Sequence, residues 1–371
     1  MKTLMIAGGG TGGHIYPAIA IAREYVARDK SRRVIFVGTE RGLEKTIVPK
    51  AGFSVEFISV GGIKGKGGVD LLRNIAQLPM GLAQASRVVS KHNPNVVLGV
   101  GGYASGPVLL AAVLRGIPTI IHEQNAFPGL TNRLLARFVK KVAVAFPDAL
   151  ARLNRPDGVV TGNPVRAEFF SVAPAISPAY AAAGIGGATQ KQRLLIFGGS
   201  QGSRVLNDAM IGALLFLSRL KDRVDIVHQT GASDLQKVQQ AYRTSGAFPN
   251  ARVVAYLDPI VDEIAAADLV VCRAGAMTIG ELAAVGRAAI FVPFAAATNN
   301  HQEVNARVVE QAGGGIVITE KELTPERLGS AITEIMTDPE RMRRMAEAAR
   351  KLAAPEATKK IVDSIESIQR N

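Results

Sequence analysis

Two stretches of the sequence decide the fold: KTLMIAGGGTGG at 2–13 and RLLIFGGSQGS at 193–203. Each is a short apolar run that ends in a glycine-rich turn and leads into a helical pattern. Short apolar runs that alternate with helical stretches indicate parallel β-sheets covered by helices on both faces. Because the pattern opens each half of the chain, the sequence predicts an α/β protein with two Rossmann-like domains.

The rest of the chain continues this alternation, which sets the expected domain limits. We place the boundary near Gly162–Pro164, with domains at 1–163 and 164–340 and with 341–371 as helices that pack back toward the first domain. Open parallel sheets bind ligands beyond the carboxyl ends of their strands, so we expect a cleft lined by the glycine turns. The further strands are predicted at 34–38, 96–100, 119–122, 142–146, 224–228, 252–256, 269–272 and 289–293.

The positive charge is concentrated in the first half. The chain has 371 residues, 44 Lys and Arg against 31 Asp and Glu, and a formal net charge of +13. Residues 1–163 hold 21 basic and 9 acidic residues, whereas residues 164–371 hold 23 and 22. This asymmetry predicts an anionic partner for the first half, either nucleic acid or acidic lipid, with simple solubility as the alternative.

The composition excludes several classes of protein. Hydrophobic residues make up 47% and charged residues 20%, which is typical of globular proteins and not of disordered ones. The single cysteine, Cys272, excludes a disulfide scaffold, fits a reducing compartment and is interpreted as a buried packing residue. The first residues are too few and too glycine-rich for a signal peptide, so we expect a cytoplasmic location. The uncharged stretch 96–114 is interrupted by glycines and Pro107, so we predict no transmembrane helix.

A candidate lipid-binding patch lies between residues 61 and 91. Its apolar residues follow helical spacing and are flanked by basic residues, as in helices that lie on anionic membranes. An ordinary core helix would show the same spacing, so both interpretations stand. The residues assigned to this membrane patch are Ile63, Lys64, Lys66, Leu71, Leu72, Arg73, Ile75, Leu78 and Leu82.

Three glycine-rich turns are suited to phosphate groups. The turn at 8–13 has the dinucleotide spacing, in which glycines admit a phosphate to the backbone and a helix N-terminus binds it. NAD is therefore one alternative, although His14 follows the turn at once. The turns at 101–106 and 198–202 exceed what one dinucleotide needs, which favours a diphosphate-bearing donor and a diphosphate-bearing acceptor. No P-loop Lys-Ser/Thr occurs, which argues against nucleoside triphosphate hydrolysis.

The sequence CRAGAMTIGE at 272–281 predicts a strand that runs into a helix N-terminus. The amides of 275–278 would bind a pyrophosphate there, with the Thr278 hydroxyl beside them. Glu281, one turn later, could accept hydrogen bonds from ribose hydroxyls. The chain has no Asp-x-Asp pair, so a sugar-nucleotide site would neutralise the leaving diphosphate with amides and not with a metal ion.

His14 is the candidate general base, because imidazole on a glycine turn can accept a proton near neutral pH. A helix-capping role is the alternative for His14. Glu123, which follows His122 at a strand end, is the second candidate base or the group that orients one. The five histidines show no metal-ligand spacing, so no metal site is predicted.

Taken in order, these motifs resemble those of the MurG family of peptidoglycan glycosyltransferases, over about residues 1–350. The motifs are GGTGGH at 9–14, GGY at 101–103, HEQN at 122–125, GNPVR at 162–166, GGSQG at 198–202, CRAGAMT at 272–278 and NHQ at 300–302. The resemblance implies a GT-B fold and inverting, metal-independent transfer of N-acetylglucosamine from UDP-N-acetylglucosamine without a cofactor. The acceptor would be the muramic C4 hydroxyl of lipid I (undecaprenyl-pyrophosphoryl-MurNAc-pentapeptide), and the product lipid II. The first domain would meet anionic lipids of the cytoplasmic membrane face as a peripheral protein, and the second would hold the donor.

The resemblance also assigns roles by position. Leu257 would contact uracil through its backbone and Glu281 the ribose, while Gln302 and Asn305 would bind sugar hydroxyls. Asn299–Asn300 and Ala274 depart from the residues common at those positions, which leaves some donor contacts open. The donor-binding residues are Thr11, Gly12, Gly13, Asn125, Arg166, Ser200, Leu257, Gly275, Ala276, Met277, Thr278, Ile279, Gly280, Glu281, Gln302 and Asn305. The residues for the acceptor pyrophosphate are Gly12, Gly13, Gly101, Gly102 and Tyr103.

Three alternatives remain at this point. A related glycosyltransferase could act on another lipid such as diacylglycerol, with the same donor domain. A UDP-sugar epimerase of the same fold, or a two-domain NAD-binding enzyme, would use the glycine turns differently. A nucleic-acid-binding α/β protein would explain the basic half but not the three turns, so we expect no nucleic-acid partner.

Overall fold

The computed structural model describes residues 2–10, 12–40, 42–60, 78–172 and 191–370. The chain divides into two compact units. Unit 1 comprises Met1–Arg166 together with Ala354–Asn371, and unit 2 comprises Ala167–Ala353. Each contains one parallel sheet, and the α/β fold class predicted from the sequence is confirmed.

Unit 1 is a seven-stranded sheet with helices between its strands. Its described strands are β1 (Thr3–Ala7), β2 (Arg33–Gly38), β3 (Ser54–Phe57), β4 (Val96–Gly99), β5 (Thr119–Glu123), β6 (Lys141–Val144) and β7 (Val159–Val160). Its helices up to residue 166 are α1 (Gly12–Ala27), α2 (Glu44–Lys50), α3 (Leu78–His92), α4 (Ser105–Leu114), α5 (Leu130–Leu135) and α6 (Asp148–Leu153).

The strand order of this sheet creates its ligand-binding edge. The order is β3-β2-β1-β4-β5-β6-β7, with every pair parallel. Met5 of β1 is paired with Ile35 on one side and Val97 on the other, so the chain leaves β1 in one direction and later returns on its opposite side. At such a switch point the loops after the two central strands separate and leave a crevice. Here those loops are the two glycine turns that follow β1 and β4.

Unit 2 repeats this arrangement with six strands in the order β10-β9-β8-β11-β12-β13, again all parallel. Its switch point lies between β8 and β11. The strands are β8 (Gln192–Phe197), β9 (Val224–Gln229), β10 (Arg252–Val254), β11 (Leu269–Cys272), β12 (Ala288–Phe291) and β13 (Gly315–Val317). The helices are α7 (Glu168–Ser171), α8 (Arg204–Ala213), α9 (Leu235–Ser245), α10 (Ile260–Ala266), α11 (Ala276–Val285), α12 (His301–Gln311), α13 (Pro325–Met336) and α14 (Pro339–Lys351).

Helix α14 belongs to unit 2. Its Met342 and Met345 are buried in the unit 2 core, and the Asp338 carboxylate caps its N-terminus by accepting the Arg341 N–H at 2.9 Å. The sequence predicts that residues 341–371 pack back toward the first domain. The compact units instead divide at 353–354, and the buried methionines are the physical reason that α14 stays behind.

Helix α15 (Ala357–Glu366) completes unit 1. Its Ile361 and Ile365 are fully buried in the cluster that also contains Leu4 of β1. Ion pairs hold α15 against the end of α1: Arg28, directly after α1, lies 2.6 Å from Asp363 and 3.0 Å from Glu366. Unit 1 therefore has a discontinuous core, built from both sides of unit 2 in the sequence.

The predicted strands agree with the observed ones to within two residues at each end, but β3, β7 and β13 were missed. Strand β7 has two residues and β13 has three, too few to show an alternating pattern. Strand β3 carries Ser54 and Glu56, which break its apolar run. Cys272 is fully buried at the end of β11, and burial raises the pKa of its thiol, so its interpretation as a packing residue is confirmed.

Candidate active site

The two glycine turns of unit 1 meet at its switch point. Gly102 has a φ of +82°, and a Cβ there would collide with the carbonyl oxygen of Gly9. Gly10 has a φ of +91°, but its missing side chain would point into open space. Glycine is thus required at Gly102 by both conformation and contact, and at Gly10 by conformation.

A buried carboxylate supports the first turn from below. Glu44 of α2 is 2% exposed, and its Oε2 accepts the Gly10 N–H at 2.8 Å. Its Oε1 accepts the Thr39 N–H at 2.7 Å and the Thr39 hydroxyl at 3.0 Å. Three donors compensate for the burial of this charge. Sequence reasoning missed Glu44, because nothing in the sequence relates it to a turn 34 residues earlier.

His14 lies in the first turn of α1, with its ring against the second glycine turn. A Cβ on Gly101 would lie 3.0 Å from His14 Cε1, and Gly101 has a φ of +92°. The Nδ1 atom of His14 is 3.1 Å from Gln124 Oε1. The ring is half-buried, so it has a fixed orientation and is still accessible. This is the geometry expected of a positioned general base.

Behind His14 lies a chain of buried polar groups. The amide nitrogen of Gln124 donates to the Val100 carbonyl at 3.1 Å and lies 3.2 Å from His122 Nδ1. On its other side His122 donates from Nε2 to the Gly162 carbonyl at 3.2 Å. His122 is fully buried, and this burial lowers its pKa to about 4, with a partial opposite effect of the Gly162 carbonyl and a smaller lowering by nearby His14. His122 is therefore neutral at physiological pH.

The geometry of Glu123 argues against the prediction that it acts as a base. Its carboxylate is 2% exposed and accepts four hydrogen bonds: the Asn125 N–H and side-chain amide on Oε1, and the Gly129 N–H and Asn132 amide on Oε2. The four distances lie between 2.8 and 3.1 Å. A carboxylate has about four acceptor sites, so these donors fill them. Glu123 organises the loop 124–132 and thereby places Asn125.

The remaining predicted residues of unit 1 differ in exposure and in their contacts. Tyr103 is 56% exposed beyond the second glycine turn, and Gly12 lies under the Tyr16 ring, where a Cβ would come within 3.2 Å of Cε2. The Arg166 guanidinium lies over the same ring, 5.6 Å from its centroid. Gly13 is exposed at the start of α1. Thr11 lies outside the described residues.

In unit 2 the corresponding crevice is held by Arg273. Its guanidinium donates to Ser203 Oγ at 2.6 Å and to the carbonyls of Val292 and Pro293 at 3.0 and 3.2 Å. It also forms an ion pair with Glu320 at 2.6 Å. Ser203 in turn caps α8 through the Leu206 N–H. One largely buried cation thus ties together the loops that follow β8, β11, β12 and β13, a role that sequence reasoning missed although Arg273 stood in a quoted motif.

The predicted pyrophosphate site forms at the start of α11. Gly275 is the extended N-cap residue, and the Thr278 hydroxyl oxygen would lie 3.7 Å from a Cβ placed on it. First-turn N–H groups have no helical acceptors, and the helix dipole adds positive potential there. The side chains of Ala276 and Ile279 are buried, so they could contact a ligand only through their backbone. The half-buried residues of the predicted set between 275 and 281 are Gly275, Met277, Thr278, Gly280 and Glu281.

The other predicted donor residues occupy the same edge of the sheet, with different exposure. Ser200 is exposed in the turn after β8, and the Leu257 side chain is 6% exposed. Gln302 Oε1 accepts the Phe294 N–H at 3.0 Å, which leaves its NH₂ as the donor end. Asn305 is fully buried, and its amide lies 3.5 Å from the Ala274 carbonyl, so it supports the loop before α11 from beneath. Asn299 and Asn300 both have left-handed φ values, 55° and 54°, a conformation that asparagine tolerates.

The structure describes only part of the predicted membrane patch. Ile63, Lys64, Lys66, Leu71, Leu72, Arg73 and Ile75 lie outside the described residues, and so does the Leu78 side chain. Leu82 on α3 is half-buried and packs against the unit 1 core, and its place in the membrane patch stays a prediction. In the described part of the chain, no helix is long and apolar enough to cross a membrane. Over the same residues no group of three or more His, Cys, Asp or Glu side chains could hold a metal ion.

Two family models match this chain, one in each half of the sequence. Residues 4–144 match the glycosyltransferase family 28 N-terminal domain, and residues 193–363 match the glycosyltransferase family 28 C-terminal domain. A curated UDP-N-acetylglucosamine--N-acetylmuramyl-(pentapeptide) pyrophosphoryl-undecaprenol N-acetylglucosamine transferase from Anaeromyxobacter sp. (strain Fw109-5) is 46% identical over 97% of this chain and 92% of that protein. The similarity therefore covers nearly the full length of both chains.

Solved structures agree with the similarity found in the sequence. The crystal structure of Acinetobacter baumannii MurG superposes with a TM-score of 0.81 and 31% identity, covering 99% of this chain and 100% of that one. A UDP-GlcNAc 2-epimerase from Neisseria meningitidis, bound to UDP-GlcNAc, gives a TM-score of 0.69 over 99% and 100% of the two chains, but at 15% identity it shares only the fold. The chain therefore belongs to glycosyltransferase family 28 and, within it, to the MurG family of N-acetylglucosamine transferases.

Proposed function

We propose that this protein transfers N-acetylglucosamine from UDP-N-acetylglucosamine to the muramic C4 hydroxyl of lipid I, giving lipid II with inversion at the anomeric carbon. The observation that carries the proposal is the 46% identity, over 97% of the chain, to a relative named for this reaction. The separate sites of the two units support it. Unit 1 carries an oriented imidazole, and unit 2 carries a helix N-terminus suited to a diphosphate.

Unit 2 is proposed to bind the donor. The diphosphate would lie at the N-terminus of α11, next to the Thr278 hydroxyl and the exposed Ser200. When the glycosidic bond breaks, the bonding electrons leave with UDP, and the charge on its diphosphate increases. Fixed N–H dipoles stabilise that charge without reorganisation. Glu281 would accept hydrogen bonds from the ribose, and the NH₂ of Gln302 would donate to a sugar hydroxyl.

Unit 1 is proposed to bind the acceptor and to remove its proton. The acceptor pyrophosphate would lie against the glycine turns, near Gly101 and Gly102, of which Gly102 is the more exposed. His14 would take the proton of the C4 hydroxyl while that oxygen forms its bond to the anomeric carbon. Asn125, fixed by Glu123, would donate a hydrogen bond to the transferred sugar.

We further propose that a face of unit 1 rests on anionic lipid. Helices α4 and α5 pack side by side, and this region exposes large apolar residues, with Leu114 71%, Leu134 51% and Phe138 55% exposed. Exposed arginines lie among them: the Arg137 guanidinium is 5.4 Å from the Phe138 ring centroid, and Arg133 is 5.4 Å from that of Phe127. Apolar side chains beside cations match the chemistry of an anionic bilayer surface.

A membrane test follows directly. Full-length protein should co-sediment with vesicles that contain anionic lipid and should be released by salt, because each basic residue adds about 1 kcal/mol near such a surface. The double variant L114S/L134S should weaken this binding, while L215S, at an exposed leucine of unit 2, should not. Equal sedimentation of L114S/L134S and the wild type would reject this face.

The activity test is transfer of radiolabel from UDP-N-acetylglucosamine, in detergent, to a short-chain lipid I analogue and in parallel to diacylglycerol. Label in the lipid I analogue is the expected outcome. Label only in diacylglycerol would retain the donor site and reject the cell-wall acceptor. Free sugar epimer without transfer would indicate the epimerase chemistry for which other proteins of this fold are named.

A further inference from the structure

The buried chain of polar groups behind His14 determines which of its two ring nitrogens carries the proton. A backbone carbonyl oxygen can only accept a hydrogen bond. The end of the Gln124 amide that lies 3.1 Å from the Val100 carbonyl must therefore be its NH₂ group. This assignment does not depend on how an amide is oriented by convention, because the Val100 carbonyl is fixed by the backbone.

The other end of the same amide then decides the state of His14. With its NH₂ group at Val100, Gln124 presents its oxygen to His14 Nδ1, at 3.1 Å. An amide oxygen also only accepts, so Nδ1 of His14 must carry a hydrogen. In a neutral imidazole the lone pair is then on Nε2.

His122 strengthens this arrangement from the opposite side. Its Nε2 faces the Gly162 carbonyl at 3.2 Å and must donate, so in the neutral ring Nδ1 accepts. The NH₂ group of Gln124 lies 3.2 Å from that Nδ1, and its two hydrogens can serve Val100 and His122 together. A reversed amide would face lone pairs at both positions, so two independent acceptors hold Gln124 in one orientation.

We infer that Gln124 and His122 are positioning residues that keep neutral His14 protonated on Nδ1, so that Nε2 is the atom that accepts the substrate proton. Gly101 contributes by admitting the ring: a side chain there would lie 3.0 Å from His14 Cε1. The kinetic part of this inference rests on the proposed function. The state of the ring itself is a property of the protein alone.

The first experiment is nitrogen NMR of the full-length protein labelled with ¹⁵N only at histidine, at a pH where His14 is neutral. The variant H14Q identifies the His14 signals among those of the five histidines. We expect His14 to be protonated on Nδ1 in the wild type. In Q124M, which keeps the length of the side chain and removes its amide, we expect the proton to move largely to Nε2, the form that an isolated imidazole favours.

Kinetics of the same variants test the consequence. Q124M should lower kcat by about 10-fold to 100-fold, within the total contribution of a general base, and change the donor KM by less than about twofold. Q124E retains an oxygen for Nδ1 and should recover part of the lost kcat. The control is Q239M in unit 2, which removes a glutamine amide that donates to the Val253 carbonyl at 3.1 Å and should change neither measurement.

A wild-type His14 with its proton on Nε2 would overturn the inference, and so would unchanged kcat and ring state in Q124M. If Q124M does not fold, two results still test the inference. They are the protonation state of His14 in the wild-type spectrum and the kcat of Q124E relative to that of the wild type. Should the wild type transfer no sugar, the proposed function fails, while the spectra still test the state of the ring.

Discussion

The two switch points of this protein have the same backbone topology and opposite chemistry. In each sheet the first three strands in sequence lie on one side of the crevice and the fourth on the other, with glycine turns after the central strands. Unit 1 supports its turn with a buried carboxylate, Glu44, which accepts backbone N–H groups. Unit 2 supports its loops with a largely buried guanidinium, Arg273, which donates to backbone carbonyls. The fold supplies the same kind of crevice twice, and the side chains around it differ between the units.

The largest expected effect is a loss of kcat that depends on the crevice of unit 1 and not on that of unit 2. His14→Ala should lower kcat at least about 10²-fold, because it removes the proposed general base, while the affinity for UDP-N-acetylglucosamine changes little. Steady-state kinetics with both substrates measure this. His92→Ala, at a histidine of unit 1 that ends α3 and pairs with Glu56, is the control and should retain its kcat. Unchanged turnover in His14→Ala would remove the proton-accepting role from unit 1.

Arg273→Met tests the anchor of the second crevice. It should lower the free energy of unfolding of unit 2 by about 3 kcal/mol, because Glu320, whose side chain is 18% exposed, loses its partner cation. Urea unfolding followed by circular dichroism measures this loss. Arg327→Met is the control, since Arg327 and Glu322 are 52% and 41% exposed and their pair at 3.7 Å should contribute little. Equal unfolding midpoints for the two variants would contradict a structural role for Arg273.

Acid should weaken both units to a similar degree. Burial lowers the pKa of His122 in unit 1 to about 4 and that of His228 in unit 2 to about 3, from an ordinary value of 6.5. The unfolded chain therefore binds these protons first, so the stability is present above pH 6.5 and is lost as the pH falls toward the folded values. From about pH 7 to about pH 5 each histidine should cost about 2 kcal/mol of unfolding free energy.

Denaturant unfolding at the two pH values measures this loss. His228→Gln should make unit 2 less sensitive to acid and leave unit 1 as it was. His301→Gln serves as the control, because His301 is half-buried at a helix start and not enclosed in a strand. Equal acid sensitivity in the wild type and His228→Gln would show that His228 is not the source.

The smallest expected effect is a higher donor KM, which tests one contact of the proposed donor site. Glu281→Ala should raise the KM for UDP-N-acetylglucosamine about tenfold, the loss of one charge-assisted hydrogen bond, with a smaller change in kcat. Glu334→Ala, at a 63% exposed side chain on α13, is the matched control. An unchanged donor KM in Glu281→Ala would assign the ribose contact to another residue.

Most of the fold could be predicted from the sequence, because buried parallel strands are apolar throughout and their turns are rich in glycine. The repeat of this pattern revealed two units, and the position of His14 after the first turn pointed to a base. The role of Glu123 could not be predicted, since its four donors come from a loop whose shape follows only from the fold. Glu44 and Arg273 were missed for the same reason, as their partners are distant in the sequence.

The apolar surface of α4 and α5 shows a second limit of prediction from the sequence. Leu110 and Leu114, like Leu130 and Leu134, are spaced as a buried helical face would be, so their exposure is visible only in three dimensions. The same spacing occurs at Leu82, which is half-buried and packs against the core. A helical stripe indicates a shared face, and the neighbouring elements decide whether that face is covered.

Because the core of unit 1 is interrupted in the sequence, unit 1 can complete its folding only after unit 2 has been synthesised. Residues 354–370, with α15, come after the whole of unit 2 in the chain, so a ribosome completes unit 2 before it delivers the helix that covers α1. Until then the surface that Ile361 and Ile365 will bury stays open, and Arg28 lacks its two carboxylates from α15. The half of the molecule that is translated first is therefore the last to mature, and a nascent chain exposes the apolar side of α1 for the time it takes to make unit 2.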